Sequence, residues 1–285
     1  MMRLGRSLGV LVFALALWLG SGATATSTAE LVEKWMTGDH RAPGHAARNA
    51  YRHPRGTLTF FGFDPSMRVV EVWPSGGWYL EILAPMLRES GTYYAAGFSL
   101  TAKRTPEWRK TMQRELQEKL AERPDLYDRV VVTELSIPER TEMAPPGTAD
   151  MVLTFRNVHN WMKGDYAPSM FDAMFAALKP GGTLGVVEHR AKKGTSRARM
   201  IESGYVTTQH VKRLAKDAGF RFVEASKVNA NPKDTTEHPA GVWTLPPTLR
   251  LGDLDRAKYL AIGASDRMTL RFAKPRRTKS KDSKR

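Results

Sequence analysis

Cysteine is absent from all 285 residues, which removes disulfides, thiolate metal sites and cysteine nucleophiles. Long apolar runs are scarce as well. The one near the start, Leu8 to Leu19, falls short of the roughly 20 residues that a membrane-spanning helix needs. Acidic residues are few, 29 against 44 Lys and Arg, for a net charge of +15. There is no internal repeat, and no His or carboxylate spacing forms a compact metal motif. What remains is an ordinary globular composition, 41% hydrophobic and 26% charged, in a length that suits one well-buried domain with appendages.

The charge is unevenly placed. Arg3 and Arg6 open the chain, the apolar run follows, and Ala23-Thr24-Ala25 offers an A-x-A cleavage site. That is the layout of a secretory signal peptide over residues 1–25, and it predicts export to the periplasm or medium with no membrane segment after cleavage. Without a cysteine after the apolar run, a lipoprotein anchor is excluded. At the other end, residues 274–285 read KPRRTKSKDSKR, basic and without apolar content, which predicts a disordered tail. An exported protein seldom meets nucleic acid, so the tail points to weak contact with anionic surfaces instead.

Between these ends, residues 26–67 form a lead-in. It holds a short helix over AELVEKWMTG and a polar, basic stretch that can fold over a pocket as a lid. From Arg68 to residue 273 the pattern alternates strand and helix. The strands are RVVEVW, GTYYAAGF, RVVVTELS, ADMVLTF, GGTLGVVEHR, RFVEASKV and RMTLRFAKP. This predicts an α/β, Rossmann-like, mostly parallel seven-stranded sheet with helices on both faces. Ligands of such sheets sit beyond the carboxyl ends of the strands, so those ends carry the functional reading. After the first strand come Glu71 and the turn Trp73-Pro74-Ser75-Gly76-Gly77-Trp78. After the fourth come Arg156, Asn157, His159 and Asn160, and the fifth ends in Glu188 and His189. The glycines permit close backbone approach to a ligand, and the helix that follows offers amide N–H groups to an anion. A tight structural turn explains the same residues. His159 is suited to proton transfer near neutrality. His159, Glu188 and His189 have metal-binding chemistry, but their spacing argues against a metal. The segment TLPPTLR, 244–250, reads as a rigid pocket wall.

Residues 68–190, with VVEVWPSGGWYLEILAP, FRNVHNW and LKPGGTLGVVEHR, resemble the class I S-adenosylmethionine-dependent methyltransferases. Within them they are similar to a bacterial family of predicted, often exported, methyltransferases with a first motif of the E-x-x-P-G-G-G-W-Y type. The likeness extends to RNAYRHPRGTLTFFG upstream and SDRMTLRFAKP downstream. It implies the class I methyltransferase fold and S-adenosyl-L-methionine as cofactor, with a small-molecule or envelope component as methyl acceptor. It implies cofactor contacts from Glu71, Trp73, Pro74, Gly76, Gly77, Trp78, Phe98, Glu134 and Asn157. On the acceptor side it implies His159, Asn160, Glu188 and His189.

Two departures stand beside that resemblance. The common loop is E/D-x-G-x-G-x-G, and here Trp73 and Ser75 take the first two glycine places, leaving Gly77 in the third. The second strand ends in Gly97 and Phe98, with no carboxylate for a ribose. Trp73 and Trp78 either pack under the loop or wall the pocket; Phe98 either stacks on adenine or packs in the core. Glu134 falls near the usual adenine-contacting position or solvates a loop. Two functions therefore stand: an exported methyltransferase, or an exported ligand-binding protein that kept the fold without methyl transfer.

Overall fold

The computed structural model describes residues 27–276. The signal-peptide reading and the tail beyond Arg276 lie outside them. Seven strands, β1 Arg68–Val72, β2 Thr92–Gly97, β3 Val131–Glu134, β4 Ala149–Phe155, β5 Leu178–His189, β6 Arg221–Ser226 and β7 Arg267–Ala273, form one sheet in the order β3-β2-β1-β4-β5-β7-β6. The first five are parallel, and β7 runs antiparallel between β5 and β6. With helices on both faces, this is the class I methyltransferase arrangement. The strands lie where the alternating pattern puts them, because the central ones are buried on both faces and read as near-continuous apolar runs. β1 is buried from Val69 to Val72.

The pleat of β1 sorts its side chains. Val70 and Val72 enter one core layer, with Trp161, Phe171 and Met174. Val69 enters the other, with Leu58, Phe61, Ile82, Leu83 and Tyr93. Side chains two apart share a face, so Glu71 follows Val69 to the side where the lead-in packs. There its carboxylate accepts a hydrogen bond from Tyr93 Oη at 2.5 Å.

The lead-in is more structured than its polar composition suggests. The expected helix is Thr28–Met36, closed at its start by a capping box between Ser27 and Glu30. A second helix, Pro54–Phe61, buries Leu58 and Phe61 completely. Its Pro at the first position and Gly62 as left-handed cap are ordinary start and stop signals, but eight residues are too few for periodicity to announce. Residues 227–266, between β6 and β7, fold back over the sheet's carboxyl edge. Asp234 holds them by accepting from Tyr205 Oη at 2.9 Å and Asp266 N at 2.7 Å. Lys274 extends β7, its Nζ donating to the carbonyls of Phe175 and Leu178. No helix among the described residues is long and apolar enough to cross a membrane.

Candidate active site

A cavity of about 280 Å³ opens at the carboxyl edge, where the strand order reverses between β1 and β4, the place at which such sheets bind ligands. Of the residues singled out by sequence, Glu71, Trp73, Pro74, Trp78, Phe98, Asn157, His159, Asn160 and His189 line it. Gly76, Gly77, Glu134 and Glu188 do not; Glu188 is fully buried behind His159. The Gly76 carbonyl accepts from Lys119 Nζ at 3.2 Å, and a Cβ on Gly77 would meet the Lys119 stem at 3.5 Å. The glycine pair thus faces Lys119, in the last turn of the helix Glu107–Glu122, and not the cavity. Glu134 accepts from Ser99 Oγ at 2.9 Å and Leu100 N at 3.3 Å, so its carboxylate fastens the loop after β2.

The turn keeps a glycine backbone without the glycines. Trp73, Ser75 and Gly77 have φ of 52°, 53° and 79°, so all three glycine places of the common loop are left-handed. For the two L-residues that conformation costs roughly 1–2 kcal/mol each. Packing holds Trp73 there. Its Nε1 donates to the Leu135 carbonyl at 3.1 Å, and its ring lies 4.9 Å from Phe98 and 6.0 Å from Trp161. Both readings of Trp73 hold, since it is buried in the core and also forms cavity wall. The Arg109 guanidinium lies over the rings of Trp73, Phe98 and Trp108 at 4.5, 5.1 and 5.1 Å. Trp78 donates from Nε1 to the His45 carbonyl and carries Arg41 and Arg52 over its ring at 4.7 and 4.5 Å.

Beyond β4 and β5 sits an acid–base pair. Glu188 is fully buried and accepts from two backbone groups, His159 N at 3.3 Å and His189 N at 2.7 Å. Its Oε1 also lies 3.1 Å from His159 Nδ1. A carboxylate there makes Nδ1 the protonated nitrogen and leaves Nε2 with its lone pair for the cavity. Burial, then the charges of His159 and Arg156, push the His189 imidazole well below its ordinary value, so it is neutral; its Nδ1 meets Ser265 Oγ at 2.5 Å. Asn157 bridges β4 to β1, donating from Nδ2 to the Val72 carbonyl at 3.0 Å.

His159, Glu188 and His189 bring one ligand atom each within 4.8 Å of one another. The set suits acid–base work better than a cation. Both Glu188 oxygens already hold hydrogen bonds, and the Arg156 charge bears on His189 and Glu188 alike.

Several lining residues carried no clear sequence signal. Arg48 and Arg52 come from the lead-in, four apart on consecutive short turns; Arg267 begins β7, and Ser265 and Trp243 belong to the 227–266 segment. The Arg48–Arg52 spacing alone could have marked them as neighbours. Pro246, Pro247 and Thr248 supply the wall expected of TLPPTLR.

Tested against S-adenosylmethionine, the residues divide. They fit its amino-acid half: Glu71, with oxygens beyond the one held by Tyr93, matches an ammonium, and Arg52, whose Nε has no acceptor, matches a carboxylate. For the ribose there is no carboxylate after β2, and the aromatic faces suited to adenine already carry Arg109.

No protein-family model matches the sequence, and no curated protein matches it. Solved structures do. A SAM-dependent methyltransferase from Aquifex aeolicus aligns over 87% of this chain and 100% of its own, at 17% identity and TM-score 0.52. Phosphoethanolamine N-methyltransferase 2 of Haemonchus contortus, in complex with S-adenosyl-L-methionine, aligns over 87% of this chain and 57% of its own, at 15% identity and TM-score 0.51. The cyclase SpnF aligns over 85% and 86%, at 16% identity and TM-score 0.51. At these identities the likeness is one of fold, and that fold serves methyl transfer in two of the three and cyclisation in the other.

Proposed function

We propose that this protein is an S-adenosylmethionine-dependent methyltransferase acting on a small molecule held in the cavity. The observation that carries the reading is the meeting of Glu71 with the Glu188–His159 pair across one cavity at the sheet's switch point. When bound, S-adenosylmethionine supplies an electrophilic methyl group on a sulfonium. The chain's own residues do the rest. Glu71 receives the ammonium, while Trp73 and Trp108 present aromatic faces at the β2 end. His159 Nε2 takes a proton from an acceptor that must lose one, and Glu188 fixes the tautomer that allows it. Most of the acceleration in such a transfer comes from orientation, which a cavity walled by buried, hydrogen-bonded side chains supplies. Export rests on the pattern of residues 1–25, and amino-terminal sequencing of the purified protein should then begin at or near Thr26.

Calorimetry with S-adenosylmethionine and S-adenosylhomocysteine tests the reading. Wild-type protein should bind both; Glu71→Ala should weaken binding by about 1.5–3 kcal/mol, and His159→Ala should leave it unchanged. A folded wild-type protein with no affinity for either at millimolar concentration defeats the proposal. A second reading would then take its place, that of a ligand-binding protein on this fold. The Arg109 cover over the aromatic faces and the missing ribose carboxylate favour it.

A further inference from the structure

Five guanidiniums line the cavity without a carboxylate partner among the described residues: Arg109, which lies over the rings of Trp73, Phe98 and Trp108, and four others. Arg48, Arg52, Arg156 and Arg267 come from four separate places: a turn of the lead-in, the short helix after it, the end of β4 and the start of β7. Outside the cavity, buried or half-buried arginines are paired: Arg41 with Glu81 at 3.3 Å, Arg190 with Asp266 at 2.7 Å, Arg271 with Glu224 at 3.0 Å. None of the four has such a partner among the described residues. Arg52 and Arg267 are 7% and 4% exposed. Arg267 donates only to main chain, to the carbonyls of Ser265 and Tyr51. The Nε groups of Arg48 and Arg52 have no acceptor at all, and the Arg156 side chain donates to nothing among the described residues.

An arrangement of this kind opposes folding. Burial first, and then the charges of Arg156 and Arg48, press the Arg52 guanidinium toward its neutral form. A guanidinium does not surrender its proton in a protein, so the repulsion remains as lost stability. Among the described residues only one lining residue is a carboxylate, Glu71, with Glu188 buried behind His159, so the guanidiniums outnumber the carboxylates and leave an excess of positive charge. S-adenosylmethionine cannot remove that excess, because its sulfonium and ammonium outnumber its one carboxylate.

We infer that Arg48, Arg52, Arg156 and Arg267 form a binding site for a small molecule bearing a doubly charged oxyanion, either a phosphate monoester or a dicarboxylate. Planar guanidiniums match both oxyanions through paired N–H donors, which makes such contacts short and strong in a buried site. As the class of methyl acceptor, this inference rests on the methyltransferase reading; as an anion site, it does not.

The test uses the whole protein without cofactor. Inorganic phosphate and malonate are titrated by calorimetry and thermal shift, against sodium chloride at matched ionic strength. At least one dianion should bind saturably, with the melting temperature rising as the site fills. Phosphate alone would identify a phosphate ester, malonate alone a dicarboxylate. Arg52→Gln and Arg156→Gln should each weaken that binding by about tenfold or more, while raising the melting temperature of the ligand-free protein. Arg52→Lys, which keeps the charge and loses the fork, should also bind more weakly. If neither dianion acts beyond chloride on the wild-type protein, the inference is overturned, whatever the variants do. Anion binding without S-adenosylmethionine binding would remove the methyltransferase and leave the anion site; the reverse would remove the anion site alone.

Discussion

Two buried glutamates stand ten residues apart on the same strand–turn–helix unit, and they are treated in opposite ways. Glu81, in the helix Leu80–Leu87, is fully buried and surrounded. Arg41 lies at 3.3 Å, His45 at 2.9 Å, and Lys119 closes the third side. Burial pushes its carboxyl up, His45 and Lys119 outweigh that, and the net shift is downward. Glu71, at the end of β1, is 4% exposed and has the Tyr93 phenol as its one side-chain hydrogen-bond partner among the described residues. Burial there wins and raises the carboxyl to about 7. The arginines repeat the contrast: Arg41 is paired and Arg52, over the same Trp78 ring, is not. Ion pairing marks the scaffold that fastens the lead-in to the sheet. Incomplete pairing on the cavity side marks the place where a ligand is to supply what is missing.

Removing Glu81 should do the most damage. Glu81→Ala strands Arg41, whose side chain is 2% exposed, and breaking a buried ion pair from one side costs about 3–5 kcal/mol. Urea denaturation should show that loss. A loss below about 1 kcal/mol would mean that water already screens the cluster, and the contrast with Glu71 would disappear.

Glu71→Gln should act in the other direction. The folded protein holds the Glu71 proton more tightly than the unfolded chain, whose carboxyl titrates near 4.5. The stability that this proton confers is whole below about pH 4.5 and is lost as pH rises through about 7. Glutamine needs no proton, so the variant should match the wild type at pH 4.5 and exceed it by about 3 kcal/mol above pH 8. The same variant should lose affinity for an ammonium-bearing ligand. Denaturation curves at the two pH values decide the matter, and equal stability at both would show that Glu71 is solvated.

How much of this was legible in the sequence follows from the same physics. Central parallel strands are apolar on both faces, so β1, β4 and β5 were plain. The residues at strand ends, Glu71, Asn157, His159, Asn160 and His189, also reach the cavity because topology carries every strand end to one edge. Gly76 and Gly77 were legible as turn residues, but not the side to which they open, since that depends on Lys119, more than forty residues away. The lead-in that carries Arg48 and Arg52 could be read as a lid over a pocket, but nothing local shows where it docks. That docking depends on the pairing of Glu81 with Arg41 and His45, across more than thirty residues.

The smallest effect concerns the turn that joins the two glutamates. Ser75 and Gly77 are both left-handed, at φ 53° and 79°, yet only one has the residue that this conformation favours. Ser75→Gly should relieve the roughly 1–2 kcal/mol of backbone strain. It gives back part of that as extra freedom in the unfolded chain, about 0.5–1 kcal/mol. The Ser75 Oγ contact with the Trp73 carbonyl, at 3.3 Å, is long and contributes little to hold the turn. A net gain of about 0.5–1 kcal/mol is expected. Gly77→Ala, placing a Cβ in the same conformation, should lose about 1–2 kcal/mol even though the neighbouring Lys119 stem leaves it room. Opposite signs for these two substitutions, measured side by side by thermal denaturation, would show that the turn holds a glycine-type backbone that its sequence only partly supports. If Ser75→Gly were instead destabilising, the serine would be making a contact in the cavity that outweighs the strain, and Ser75 would join Glu71 on the ligand's side of the comparison.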